Sequence, residues 1–74
     1  MTVEIEIFGQ LLPEQPRRRT MEIEKPETVR SLSQAIGLDQ DEIGLVTIDG
    51  VQSELDDTVQ PGSRLCFFPY ITGG

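Results

Sequence analysis

Seventy-four residues carrying a formal charge of −7 allow one domain, close to the lower size limit for a self-supporting core. Leu, Ile, Val and Phe make up about 30% of the chain, above the roughly 20% at which disorder becomes the default, so a compact fold is expected. The charge argues against a nucleic-acid partner, the single cysteine excludes an internal disulfide, and the lack of histidine excludes the usual nucleophile–histidine triads.

Val3, Ile5 and Ile7 alternate with Thr2, Glu4 and Glu6, the two-residue period of a half-buried strand that Phe8-Gly9 should end. Leu11 to Pro16 and the three arginines Arg17, Arg18 and Arg19 read as a proline-containing loop with a basic tip. A second alternating segment, Thr20 to Glu24, places Met21 and Ile23 on one face and reads with the first as a hairpin with a long connection. Thr28 is a good N-cap, and Val29, Leu32 and Ile36 form an apolar stripe with Ala35 beside it, which predicts a short helix. Gly37 fits the left-handed position after the helix, with Leu38 folding back as its apolar contact.

The acidic stretch from Asp39 to Gly44 reads as a connection or a loose turn. Leu45 to Ile48 is strand-like, Asp49-Gly50 is a tight-hairpin signal, and Val51 to Ser53 is the return strand. Glu54 to Gln60 is irregular, with Leu55 and Val59 as anchors, and Pro61-Gly62 turns the chain into a last strand, Leu65 to Phe68. Two hairpins and one helix are most simply combined as an α+β fold, a mixed sheet of four or five strands packed on one helix. The first and last long strands are expected side by side at its centre.

Little in this inventory can catalyse a reaction unaided. One Cys and no His make a zinc site improbable, and the acidic stretch fails the calcium-loop rule, since Ile43 and Gly50 occupy positions that need oxygen ligands. No glycine-rich phosphate loop is present, and Gly9, Gly37, Gly44, Gly50 and Gly62 read as turn and cap residues. Cys66 reads as a small packing residue, Asp56-Asp57 as surface loop, and the arginine run as a solvated tip or a grip for an acidic partner. No metal and no cofactor is expected. No apolar run approaches the length of a membrane span and the first residues do not resemble a signal peptide, so a cytoplasmic protein without membrane contact is expected.

What stands out is the end of the chain. Pro69 lacks an N–H and should end regular pairing or keep it at an edge, leaving residues 69–74 as a flexible tail on a domain of residues 1–68. Fully extended, such a tail reaches ~20 Å. Gly73 and Gly74 leave the terminal carboxylate without side chains around it, able to enter a channel that any Cβ would obstruct. A carboxylate is a poor electrophile, but an acyl adenylate carries a good leaving group. A sulfur nucleophile that displaces AMP leaves a thiocarboxylate, which can pass its sulfur on.

These features resemble the ubiquitin-like sulfur carriers of the MoaD/ThiS family, which have the β-grasp fold. Thr28-Val29-Arg30-Ser31-Leu32 is similar to the family's helix start, and Ile48-Asp49-Gly50 to its hairpin. Leu55-Asp56-Asp57-Thr58-Val59 with Pro61-Gly62 is similar to the approach to its last strand. The stretch Gly62 to Pro69 with Gly73-Gly74 resembles the small subunit of molybdopterin synthase more than the thiamine carrier, on account of Phe67-Phe68-Pro69. Two departures stand out: Tyr70 replaces a second proline, and the first loop lacks a leucine-arginine helical turn.

The resemblance implies a carrier, itself not an enzyme, whose Gly74 is adenylated and thiocarboxylated by an ATP-dependent E1-like enzyme. Phe68, Pro69, Tyr70, Ile71 and Thr72 would then contact the molybdopterin synthase large subunit or another acceptor, and Gly73-Gly74 would enter its active site. Sulfur delivery to the thiamine thiazole, conjugation to lysines as a protein modifier, and a purely non-covalent interaction domain remain open at this point.

Overall fold

A computed structural model describes residues 1–70. Its five-stranded sheet comprises β1 (Thr2–Ile7), β2 (Arg18–Glu22), β4 (Ile43–Ile48), β5 (Val51–Ser53) and β7 (Arg64–Pro69). The short strands β3 (Glu27–Thr28) and β6 (Thr58–Val59) pair with each other, and α1 (Val29–Ala35) is the α-helix. The order across the main sheet is β2-β1-β7-β4-β5, with β1 and β7 parallel and the other neighbours antiparallel. This is the expected mixed sheet on one helix, with the first and last long strands adjacent in it.

Alternation puts Val3, Ile5, Ile7, Leu65 and Phe67 on the face beneath the helix, where each is at most 2% exposed. Val29, Leu32 and Ile36 supply the opposing stripe, while Ala35 lies exposed beside it. A seven-residue helix is too short to persist alone, so its ends are tied to other elements. Thr28 Oγ1 accepts from the Ser31 N–H at 3.0 Å, and the Val29 and Arg30 N–H groups donate to the carbonyls of Asp57 and Leu55. At the other end Leu38 N–H donates to Ser33 O and Gly37 N–H to Gln34 O, the Schellman pair, with Gly37 at φ +81° and Leu38 buried.

Four local expectations change. Pro69 neither ends pairing nor keeps to an edge: it closes β7, an inner strand, opposite Ile43, where a bulge in β4 accommodates it. Arg18 and Arg19 are not at a loop tip but belong to β2, opposite Glu6 and Ile5. Arg17 turns inward, and its guanidinium donates to the carbonyls of Gly9, Leu11 and Leu12, holding the loop in which Leu12 adopts φ +43°. Ile43 and Gly44 belong to β4, and only Gln40–Glu42 form a turn of 3-10 helix before it. The segment read as irregular, Glu54 to Gln60, contains β6, which is held by the helix start it caps. Asp49 and Gly50 both take positive φ at the β4–β5 hairpin, as the dipeptide predicted.

Candidate functional site

Because β7 lies between β1 and β4, the chain leaves the sheet at an inner strand rather than at an edge. Two glycines line the exit. Gly9, at φ +66°, lies so close to the Pro69 ring that an added Cβ would come within 2.5 Å of its Cγ. On the other side a Cβ on Gly44 would stand 2.6 Å from the Pro69 carbonyl oxygen and 2.7 Å from the Tyr70 nitrogen. Gly44 is the extra residue of a bulge, since Ile43 pairs with Pro69 and Leu45 already pairs with Phe68. The terminal strand therefore passes through a notch that only glycine backbone is narrow enough to form.

Beside the notch the sheet face turned away from the helix is apolar. Phe8 stacks on Phe68 with ring centroids 4.5 Å apart and planes 8° from parallel, and the Phe8 N–H donates to Phe67 O at 2.9 Å. Leu45 and Tyr70 are 37% and 62% exposed, and with Phe68, Pro69 and Gly44 they line a shallow depression of about 340 Å³. Tyr70 thus presents an aromatic face next to the exit. Cys66 is buried on this same side, level with Glu6 and Thr47, rather than in the core under the helix.

Further along the face the character changes to charge. The Glu6 carboxylate lies between the guanidinium of Arg64, which donates to it directly, and Arg18 Nε at 3.6 Å. The Arg64 hydrogen bond holds the Glu6 carboxyl below the usual carboxylate range, with the Arg18 charge adding to the effect and burial opposing it. A lowered folded value means the unfolded chain binds this proton more tightly. The stabilisation is complete above the unfolded carboxylate range and is lost as pH falls through the folded value. Urea midpoints should therefore place wild type above Glu6→Gln at neutral pH, with the gap closing in strong acid. A gap that stays constant with pH would show that the ion pairs contribute nothing.

Of the residues singled out by sequence, Phe68 and Pro69 are half-buried at the exit and Tyr70 is exposed there. Ile71, Thr72, Gly73 and Gly74 lie outside the described residues. Phe8, Gly9, Gly44 and Leu45 join the site without having been anticipated. Gly44 had one legible signal, a lone glycine inside an apolar strand pattern, which marks a bulge or a close backbone approach. Among the described residues no group of three or more acidic or cysteine side chains is placed to hold a metal ion, and no helix is long and apolar enough to cross a membrane.

Comparison with known proteins agrees with this architecture. Residues 2–72 match the family described as Mut7-C ubiquitin. No curated protein sequence matches the chain. Among solved structures, small archaeal modifier protein 1 of H. volcanii superposes with a TM-score of 0.73 at 21% identity, covering 95% of this chain and 98% of that one. A putative molybdopterin converting factor subunit 1 from Pyrococcus furiosus gives 0.72 at 17% identity, again over 95% and 98%. A complex of subunits 1 and 2 of the molybdopterin-converting factor from Helicobacter pylori 26695 gives 0.63 at 18% identity, over the full length of both chains. The shared fold is the β-grasp, one helix on a mixed five-stranded sheet.

Proposed function

Since this chain belongs to the Mut7-C ubiquitin family, we propose that it is a cytoplasmic sulfur carrier whose own C-terminus is the reagent. An E1-like enzyme transfers AMP from ATP to the Gly74 carboxylate, releasing pyrophosphate. A sulfur nucleophile attacks the carbonyl carbon, the bond to AMP breaks, and a thiocarboxylate remains. That sulfur then goes to a precursor of molybdopterin within a complex formed with a large subunit, the role suggested by the names of the Pyrococcus and Helicobacter proteins. The carrier contributes no catalytic side chain. It delivers the reacting group and is consumed and regenerated as a protein co-substrate.

The main support is the placement of the exit. An inner strand passes between Gly9 and Gly44, beside the surface of exposed Leu45 and Tyr70 and half-buried Phe68, a few residues before Gly73-Gly74. A partner that covers that surface meets the chain at Pro69, which is hemmed in on both sides. Incubation with the activating enzyme, ATP and a sulfide source should give a species about 16 Da heavier in intact-mass spectrometry, as oxygen is exchanged for sulfur. No gain with an enzyme that loads another carrier would reject the reading.

The likeness to small archaeal modifier protein 1 favours one alternative, attachment of Gly74 to lysines of other proteins. Lys25 is the sole lysine of this chain, so chains built from successive copies have one possible linkage. Adducts that survive reductant on denaturing gels would favour conjugation, and a thiocarboxylate without adducts would favour sulfur transfer.

A further inference from the structure

Separated from β7 by β1, β2 forms one edge of the sheet. The Ile7 N–H donates to Arg17 O and the Ile23 N–H to Met1 O, each at 2.8 Å, with Ile5 opposite Arg19 and Val3 opposite Met21 between them. Odd-numbered residues of this strand therefore bond to β1. In an antiparallel ladder the alternate residues, Arg18, Thr20 and Glu22, turn their N–H and C=O groups outward. Among the described residues no backbone group pairs with them.

Next to this edge a groove of about 420 Å³ runs between β2 and α1. Met21, Ile23 and Leu32 form its apolar floor, and the exposed methyl of Ala35 leaves its helical wall low. Three carboxylates, Glu22, Glu24 and Glu27, rim it against the single ammonium of Lys25. Glu22 also pairs with the amino group of Met1, and Glu27 accepts from Ser31 Oγ, which leaves Glu24 the most available of the three.

We propose that this edge and groove together bind an extended segment of a partner protein whose apolar residues alternate and whose flanks carry Lys or Arg. The segment adds as a sixth strand beside β2, taking up the outward N–H and C=O groups of Arg18, Thr20 and Glu22. Its alternate side chains drop into the groove between Met21 and Ala35, and its basic flanks meet the acidic rim. Strand addition needs an unpaired edge, side-chain specificity needs an adjoining apolar channel, and selection by charge needs a rim of one sign. Among the described residues all three coincide at β2: the opposite edge, β5, is three residues long, and the depression of about 220 Å³ beside it is lined by the polar Gln52, Ser53 and Glu54. This site is separate from the C-terminal exit and does not depend on sulfur chemistry.

The probe is a short fluorescent peptide of alternating isoleucines flanked by lysine pairs, titrated with the full chain and read by anisotropy and amide chemical shifts. Saturable binding is expected, with shifts concentrated in residues 18–24 and 27–35. Thr20→Pro, which removes an outward N–H, and Ala35→Gln, which raises the groove wall, should each weaken binding roughly tenfold or more. Glu22→Lys combined with Glu24→Lys should transfer preference to a glutamate-flanked peptide, a gain that misfolding cannot imitate. No saturation by about 1 mM, equal binding of the glutamate-flanked peptide to wild type, or shifts confined to Phe8 and Phe68 would overturn the proposal.

Discussion

Removing Gly73 and Gly74 is expected to abolish sulfur loading completely while leaving the unfolding midpoint unchanged. On the proposed function the two effects separate, because the core and the proposed reacting group occupy different parts of the chain. The core is made by Val3, Ile5, Ile7, Leu65 and Phe67 against Val29, Leu32 and Ile36, all upstream of Pro69. The truncated chain still ends in a carboxylate, but that group belongs to Thr72, a β-branched residue. It is two residues short of the original reach, about 7 Å in extended chain. Adenylation requires the carboxylate oxygen close to the phosphorus of ATP, and misplacement of even ~1 Å can cost on the order of a hundredfold. Intact mass after incubation measures loading, and urea denaturation measures the fold. Loading of the truncated chain at the wild-type rate would show that the terminal glycines are not the reagent.

Gly44→Ala should give the opposite pattern, a loss that begins in the fold and extends to delivery. The new Cβ would meet the Pro69 carbonyl oxygen at 2.6 Å, the Tyr70 nitrogen at 2.7 Å and the Pro69 carbonyl carbon at 2.8 Å, all three backbone atoms that no rotamer change can move. Relief requires the bulge in β4 and the end of β7 to part. Overpacking of this kind costs about 1–3 kcal/mol, out of the roughly 4–11 kcal/mol available to a domain of this length. The same movement displaces Tyr70 and disturbs the surface it forms with Leu45. A lowered urea midpoint together with slower loading is expected, and stabilising co-solvent should restore the first more fully than the second. A variant with an unaltered midpoint and unaltered loading would remove the notch from the account.

Both expectations rest on one arrangement: the chain leaves the sheet from an inner strand, so Pro69 has neighbours on either side. An edge strand would leave Pro69 constrained on one side only. The stacked Phe8–Phe68 pair and the contact of Gly9 with Pro69 come from β1, and Gly44 and Leu45 come from β4. The surface a partner would cover is therefore assembled from three strands that are distant in sequence.

Much was legible without the structure. Alternation in Thr2–Ile7, the apolar stripe Val29–Leu32–Ile36, the Thr28 cap, the Gly37-Leu38 ending and the Asp49-Gly50 hairpin each follow from local stereochemistry. The proposal for Gly73-Gly74, which lie outside the described residues, likewise starts from composition and order alone, two glycines and a poverty of catalytic side chains. Tertiary structure decided what depends on contacts between distant segments. The parallel pairing of β1 with β7 made the exit an inner one, and the bulge at Gly44 with Gly9 opposite narrowed it. It also drew Glu27–Thr28 and Thr58–Val59 into a small sheet and left the edge of β2 open beside α1. Periodicity records which face of an element is buried, but not which element lies against it or how closely two backbones approach.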